Sequence, residues 1–192
     1  MSRYDDELWR LVPEDPGPPP AHLQRFVEAL PAVGRALDLG CGDGRLTALL
    51  RAERVSAADV SRVALDRAAR RLPGAELVQL APDEALPFED SSFELVLCAE
   101  TLEHVRDVQL LLSEARRVLR PAGVLAVTTP AHGRLTGLEV LVSGVERHFD
   151  PFSPHVRFFS ARSLRGALED LGFRVERLRR EAGTLLAVAS RP

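Results

Sequence analysis

Ala36-Leu37-Asp38-Leu39-Gly40-Cys41-Gly42-Asp43-Gly44-Arg45-Leu46-Thr47 is the stretch on which the reading of this chain turns. A short apolar strand runs into alternating glycines. The spacing of Leu46, Leu49 and Leu50 then predicts an amphipathic helix over about residues 44–52. A strand, a glycine turn and a helix N-terminus together suit a nucleotide-like ligand. Glycines let backbone N–H groups come close, and the helix end adds partial positive charge.

Working outward, the same alternation of strand and helix repeats. Upstream, Pro20 suits a first helical turn, and Leu23, Phe26, Val27 and Leu30 share one face. Downstream, Val55–Asp59 reads as a second strand ending in an acid. Ser61 is a good N-cap for a helix to about Leu72, which Pro73-Gly74 ends. Strands follow at Ala75–Leu80, at Phe93–Ala99 (continuously apolar apart from Glu94, as a buried parallel strand should be) and at Val124–Thr129, with a strong helix over 105–120. Ser160 caps a helix through Leu171, closed by Gly172. Phe173–Arg179 and Thr184–Ala189 are joined by too few residues for a parallel crossover, so they form an antiparallel hairpin. The sum is an α/β fold: a doubly wound, Rossmann-like, mostly parallel sheet of about seven strands with a C-terminal antiparallel hairpin.

Two regions stand apart. Residues 1–20 carry Pro13, Pro16, Pro18, Pro19 and Pro20 and read as an irregular arm whose Tyr4, Leu8, Trp9 and Leu11 either pack on the surface or flap over a pocket. Residues 130–159 are the least regular part of a single domain spanning 21–192, with a helix over Leu135–Val145 and a loop from His148 to His155.

Composition narrows the function. The net charge of -3 gives no general pull toward nucleic acid or an anionic membrane. No apolar run is long enough to span a bilayer, and the N-terminus has no hydrophobic signal segment, so a cytoplasmic protein is expected. Cys41 and Cys98 form no CxxC pair, which argues against a zinc or disulfide framework. There is no Lys at all, so a P-loop and a Lys nucleophile are both excluded.

The ligand follows by elimination. A dinucleotide fingerprint needs a third glycine where this chain has Arg45. What remains is an acid before the glycines (Asp38), the G-x-G-x-G turn, and a second acid about 20 residues on (Asp59) placed to take both hydroxyls of a ribose. A carboxylate facing a cation suits S-adenosylmethionine better than a phosphate.

The stretch from Ala36 to Thr129 resembles the class I S-adenosylmethionine-dependent methyltransferases, in particular the small single-domain group that includes the ubiquinone and menaquinone biosynthesis enzymes. Leu37-Asp38-Leu39-Gly40-Cys41-Gly42-Asp43-Gly44 is similar to the first motif of that family, and Ala58-Asp59-Val60-Ser61 to the second. Leu86-Pro87-Phe88, Glu103-His104-Val105 and Arg117-Val118-Leu119-Arg120-Pro121-Ala122-Gly123 resemble later segments, and His155-Val156-Arg157-Phe158-Phe159-Ser160 the C-terminal signature.

The resemblance implies S-adenosylmethionine as cofactor, S-adenosylhomocysteine as product and a small-molecule O, N or C acceptor. Gly40, Cys41, Gly42 and Ala99 would meet the methionine part through backbone, and Asp38 would hold its amino group. Asp59 would bind the ribose, and Val60 would lie against the adenine. The acid that reaches the adenine amino group in the family falls on Pro82, so either the loop shifts and Asp83 serves, or backbone and apolar contacts do.

A base is needed only where the acceptor must lose a proton, and His is the residue type for that. His104, just past the fourth strand, and His132, past the fifth, are the catalytic candidates; His22 defaults to a surface role, while His148 and His155 flank the irregular segment. Glu100 and His104 share a helical spacing, but with no third ligand in view no metal site is expected. No base-gripping Asn/Asp-Pro-Pro motif follows the fourth strand, where Ala99-Glu100-Thr101-Leu102 stands, so nucleic acid is not the expected partner. A methyltransferase-like domain that binds cofactor or a partner without turnover stays open as the alternative.

Overall fold

A computed structural model describes residues 2–132 and 155–192. The elements, in order, are α1 (Ser2–Leu11), α2 (Ala21–Glu28), β1 (Val33–Leu39), β2 (Ala52–Asp59), α3 (Arg62–Arg71), β3 (Glu76–Gln79), β4 (Phe93–Ala99), α4 (Val108–Val118), β5 (Leu119–Pro130), α5 (Ala161–Asp170), β6 (Arg174–Glu181) and β7 (Thr184–Ser190). They build one seven-stranded sheet in the order β3-β2-β1-β4-β5-β7-β6. All its pairings are parallel except those of β7, which runs antiparallel to both β5 and β6. The expected doubly wound sheet and its terminal hairpin are therefore present.

Period-two alternation divides the core between the two faces. Leu37, Leu39, Val96 and Cys98 face α4 and α5, whose Leu112, Ala115, Leu164 and Leu168 are fully buried against them. Ala36, Leu95 and Leu97 face the other way, onto Leu23, Phe26 and Val27 of α2. Serine and aspartate caps set the helix starts: Ser61 Oγ accepts from Ala64 N–H, Asp107 from Leu110 N–H, and Ser160 and Ser163 form a reciprocal capping box.

Two expectations are corrected. No α-helix follows the glycine turn. Only a 3-10 turn (Thr47–Leu49) fits there, because β2 already begins at Ala52, and Leu46, Leu49 and Leu50 are half-buried. The N-terminal stretch is not irregular throughout: Ser2–Leu11 is helical, and only the proline-bearing part that follows is extended or bent. Tyr4, Leu8 and Leu11 fall at i, i+4 and i+7, a helical signal that the neighbouring prolines outweighed. The helix expected over Leu135–Val145 and the loop holding His148 lie outside the described residues.

Sheet order reverses between β1 and β4, since the chain leaves β1 toward β2 on one side and later returns to place β4 on the other. That switch point opens a crevice beyond the C-terminal strand ends.

Candidate active site

The glycine turn is fixed by the neighbouring strand. Gly40 N–H and Cys41 N–H both donate to the carbonyl of Ala58, at 2.8 and 3.0 Å, and Gly42 N–H donates to Asp59 Oδ2 at 2.9 Å. The other oxygen of Asp59 accepts from Ser61 N–H at 2.8 Å. Asp59 thus ties the turn after β1 to the start of α3. The expected nest of free N–H groups is absent, because β2 reaches far enough to absorb them. The helix dipole expected behind it is missing as well. The carboxylates of Asp59 and Glu100 border the crevice.

Close packing dictates glycine at two positions of the turn. Gly40 has φ +76°, and a Cβ there would overlap the hydroxyl and methyl of Thr101. Gly42 has φ +55°, and a Cβ there would lie 2.6 Å from the ring of Trp9 on α1. Asp43 braces the far side through Arg45 (3.0 Å) and Arg71 (3.2 Å).

A cavity of about 440 Å³ fills the switch point. Gly40, Gly42, Asp59 and Val60 form its first wall, and the 80–86 loop, including Pro82 and Asp83, its second. Glu100, Thr101 and His104 close the β4 end, and Asp5, Leu8 and Trp9 of α1 cover it. A larger, more open groove of about 970 Å³ crosses the opposite end of the strands, lined by Pro31, Arg51, Glu94 and Arg120 among others. Its Glu94 is spent on Arg120 and on the N–H groups of Gly34 and Arg35, and strand N-terminal ends are not where such sheets bind ligands.

Of the residues singled out from sequence, Gly40, Gly42, Asp59, Val60, Asp83 and His104 line the smaller cavity. Four do not. Asp38 lies beneath the turn, 2% exposed, accepting from Thr47 Oγ1 at 2.6 Å; burial raises its pKa to about 7. Cys41 points into the layer between β2 and α3, where burial pushes its thiol far above the ordinary range. Ala99 offers its carbonyl to Thr101 Oγ1 at 3.0 Å instead of to the cavity. His132 packs its ring on Phe158, centroids 4.9 Å apart, and its Nδ1 has no hydrogen-bond partner among the described residues. Burial, with the nearby His155 and Arg180, lowers its pKa.

The β4 end brings His104 together with acids to which sequence reasoning assigned no site role. Glu100, with φ +51°, accepts from Thr128 Oγ1 at 2.8 Å, and burial raises its pKa. Glu103 is 2% exposed, accepts from Thr129 Oγ1 at 2.9 Å, and is raised by burial to about 7. His104 meets His155 edge-on at 4.8 Å between centroids. Asp5 brings a buried carboxylate oxygen, Oδ2, without a hydrogen-bond partner among the described residues to the cavity cover. Asp5 is remote in sequence from the motifs, so no local spacing pointed to it, while His155 stands in the C-terminal signature with nothing local to join it to His104.

A doubly wound sheet with an acid-lined cavity at its switch point and an acid-anchored glycine turn defines the class: a Rossmann-like domain for a nucleoside ligand carrying positive charge. The family model described as a methyltransferase domain matches residues 9–178, and the chain belongs to that family of S-adenosylmethionine-dependent enzymes. The ubiquinone/menaquinone biosynthesis C-methyltransferase of Desulfotalea psychrophila is 37% identical over 140 residues, covering 68% of this chain and 51% of that protein. This chain spans about half the length, or less, of the curated relatives it matches.

Among solved structures, an S-adenosylmethionine-dependent methyltransferase from Mesorhizobium loti superposes with a TM-score of 0.67 at 21% identity, over 88% of this chain and 96% of that one. The [4+2]-cyclase SpnF superposes with a TM-score of 0.72 at 18% identity, over 89% of this chain and 80% of that one. These two likenesses concern the fold alone. No described helix is long and apolar enough to cross a membrane.

Proposed function

We propose that the protein transfers a methyl group from S-adenosylmethionine to an O, N or C atom of a small-molecule acceptor. The observation that carries this reading is the accounting at the glycine turn. The N–H groups of Gly40, Cys41 and Gly42 are consumed by Ala58 and Asp59, so the turn has no donors there for a phosphate. The cavity instead presents Asp5, Asp59, Asp83 and Glu100, a set that favours a cationic ligand.

Asp59 retains acceptor capacity for a ribose hydroxyl while holding Gly42 and Ser61 in place. Val60 and the 80–86 loop supply the adenine side, with Asp83 exposed at the cavity edge and within reach of an exocyclic amine. Asp38 acts from below the turn, through Thr47 and the loop it stiffens. When bound, S-adenosylmethionine supplies an activated methyl group, which the acceptor takes as the S–C bond breaks. The contribution of the chain is alignment and water exclusion by α1, and orientation alone is worth roughly 7–11 kcal/mol in good model systems. His104, on the cavity wall, is the residue placed to accept an acceptor proton. His132, off that wall, is assigned a supporting position. Residues 21–192 form the cofactor-binding unit, residues 1–20 its cover, and 130–159 the acceptor side.

A second reading is binding of the cofactor or of a partner without turnover, since one fold hosts different functions. The test is calorimetry with S-adenosylmethionine and S-adenosylhomocysteine, followed by a labelled-methyl screen over phenols, quinones, amines and carboxylates. Binding with transfer to one class supports the proposal. Binding with transfer to none supports the second reading, and no binding contradicts both.

A further inference from the structure

We infer that Glu103, His104 and His155 form a binding site for a divalent transition-metal ion of the zinc type, beside the cofactor cavity. One ligand atom from each of the three side chains lies within 4.8 Å of the others. Glu103 Oε1 is 4.0 Å from His104 Nε2, and the two imidazoles meet edge-on at 4.8 Å between centroids.

The convergence is built into the backbone. The carbonyl of Glu103 accepts from Val156 N–H at 2.8 Å and from Arg157 N–H at 3.1 Å, which clips the segment carrying His155 onto the turn carrying His104. The far end of that segment is held by the Ala131–Phe159 bridge and by His132 N–H donating to the Phe159 carbonyl at 2.8 Å. Glu103 itself is fixed: its Oε2 accepts from Thr129 Oγ1 at 2.9 Å, which leaves Oε1 turned toward His104.

The donor set decides the ion. Two imidazole nitrogens and one carboxylate oxygen suit zinc, cobalt or nickel, whereas magnesium and calcium take oxygen donors. Bonds of about 2.0–2.2 Å place neighbouring ligand atoms roughly 3.3 Å apart, so the cluster must tighten by about an ångström. His104, with 40% of its side chain exposed, and the half-buried His155 have room to swing, while Glu103 serves as the fixed point. Three protein ligands leave a coordination position open, as in metal sites that bind substrate. His104 lines the cavity, so that position lies where an acceptor hydroxyl or carboxylate oxygen can reach it, and with the ion bound His104 would serve as ligand and the ion, in place of the free imidazole, would acidify that oxygen.

The test uses the untagged full chain, stripped with a chelator. Zinc is titrated by calorimetry, and cobalt is followed by its visible absorption. One equivalent of each is expected, and His155→Ala should weaken zinc binding by at least about 100-fold with an unchanged circular dichroism spectrum. His22→Ala, whose imidazole hydrogen-bonds Thr184 and offers no ligand atom to the cluster, should leave zinc binding unchanged and serves as the control. Should His155→Ala not fold, His104→Ala carries the same expectation. Binding well below one equivalent, or zinc affinity unaltered in a folded His155→Ala or His104→Ala, overturns the inference. S-adenosylhomocysteine binding is measured separately on the same protein, so a failure of the methyl-donor reading is distinguishable from a failure here.

Discussion

The turn after β1 and the turn after β4 end neighbouring parallel strands and border one cavity, yet they are built by opposite means. The first is a backbone structure. Its glycines take left-handed φ values, its N–H groups are satisfied by β2, and Asp59 locks it to α3. The second is a side-chain structure. Glu100, Glu103 and His104 are placed by Thr128, Thr129 and the incoming segment at His155. A backbone site accepts one ligand and tolerates few changes. A side-chain site is retuned by single substitutions.

Asp59 anchors the first turn and should show the largest effect. Asp59→Ala leaves two largely buried N–H groups unpaired, at about 1–3 kcal/mol each. S-adenosylhomocysteine affinity should fall by about 100-fold or more, read by calorimetry, and the melting temperature should fall with it. An affinity within about threefold of wild type would show that the turn does not depend on this anchor.

Gly40→Ala comes next. It combines about 1–2 kcal/mol of left-handed strain with overlap onto Thr101. A loss of several degrees in melting temperature is expected for a domain of this size. Adding Thr101→Ala should restore part of that loss, because the hydroxyl and methyl in the way are then gone. Full additivity of the two losses would contradict the contact.

Asp38 sharpens the backbone side through pH. Its pKa rises from 3.8 to about 7 in the fold, so the native state holds a proton that the unfolded chain releases between those values. The stabilisation tied to that proton is complete below about pH 4 and is lost as pH climbs through 7, with a slope of up to about 1.4 kcal/mol per pH unit. Asp38→Asn should remove this slope from urea-unfolding curves taken from pH 5 to 8. The parallel slope from Glu103, of the same sign, should remain.

The smallest effect belongs to the cover. Trp9 lies over Gly42 and interacts with Arg67, whose guanidinium is 5.8 Å from the indole centroid. Trp9→Ala should weaken S-adenosylhomocysteine about tenfold while leaving the unfolding midpoint nearly unchanged. An unaltered affinity would make α1 a packing element only.

The same contrast explains what was legible in sequence. Backbone sites leave local signatures. Gly40, Gly42 and Asp59 could be picked out because the glycine turn and the acid after the second strand sit at recognisable spacings, and the mostly parallel sheet with its terminal hairpin followed from periodicity and connection length. Side-chain sites assembled from distant segments leave only separate pieces: Glu103-His104-Val105 and the segment from His155 each match a family segment, but no spacing joins them. Glu103 and His155 stand more than fifty residues apart and meet only because Val156 and Arg157 bond to the Glu103 carbonyl.

The role of the glycine turn also escaped local reading. Its N–H groups are spent on Ala58 and Asp59, which depends on how far β2 extends beside β1. The helix expected after the turn failed for a similar reason, since an apolar spacing cannot report that the next strand starts at Ala52. Asp38 matched a motif position, yet its distance from the cavity wall is a consequence of packing under the turn.

With its N–H groups spent on Ala58 and Asp59, the turn is expected to take a cationic nucleoside and not a phosphate. Calorimetry of the unmodified protein against S-adenosylhomocysteine, S-adenosylmethionine, ATP and NAD tests it directly. Saturable one-to-one binding of the first two with no measurable heat from ATP or NAD is the predicted result. Binding of ATP or NAD at comparable affinity, or no binding of the sulfur nucleosides, would contradict it.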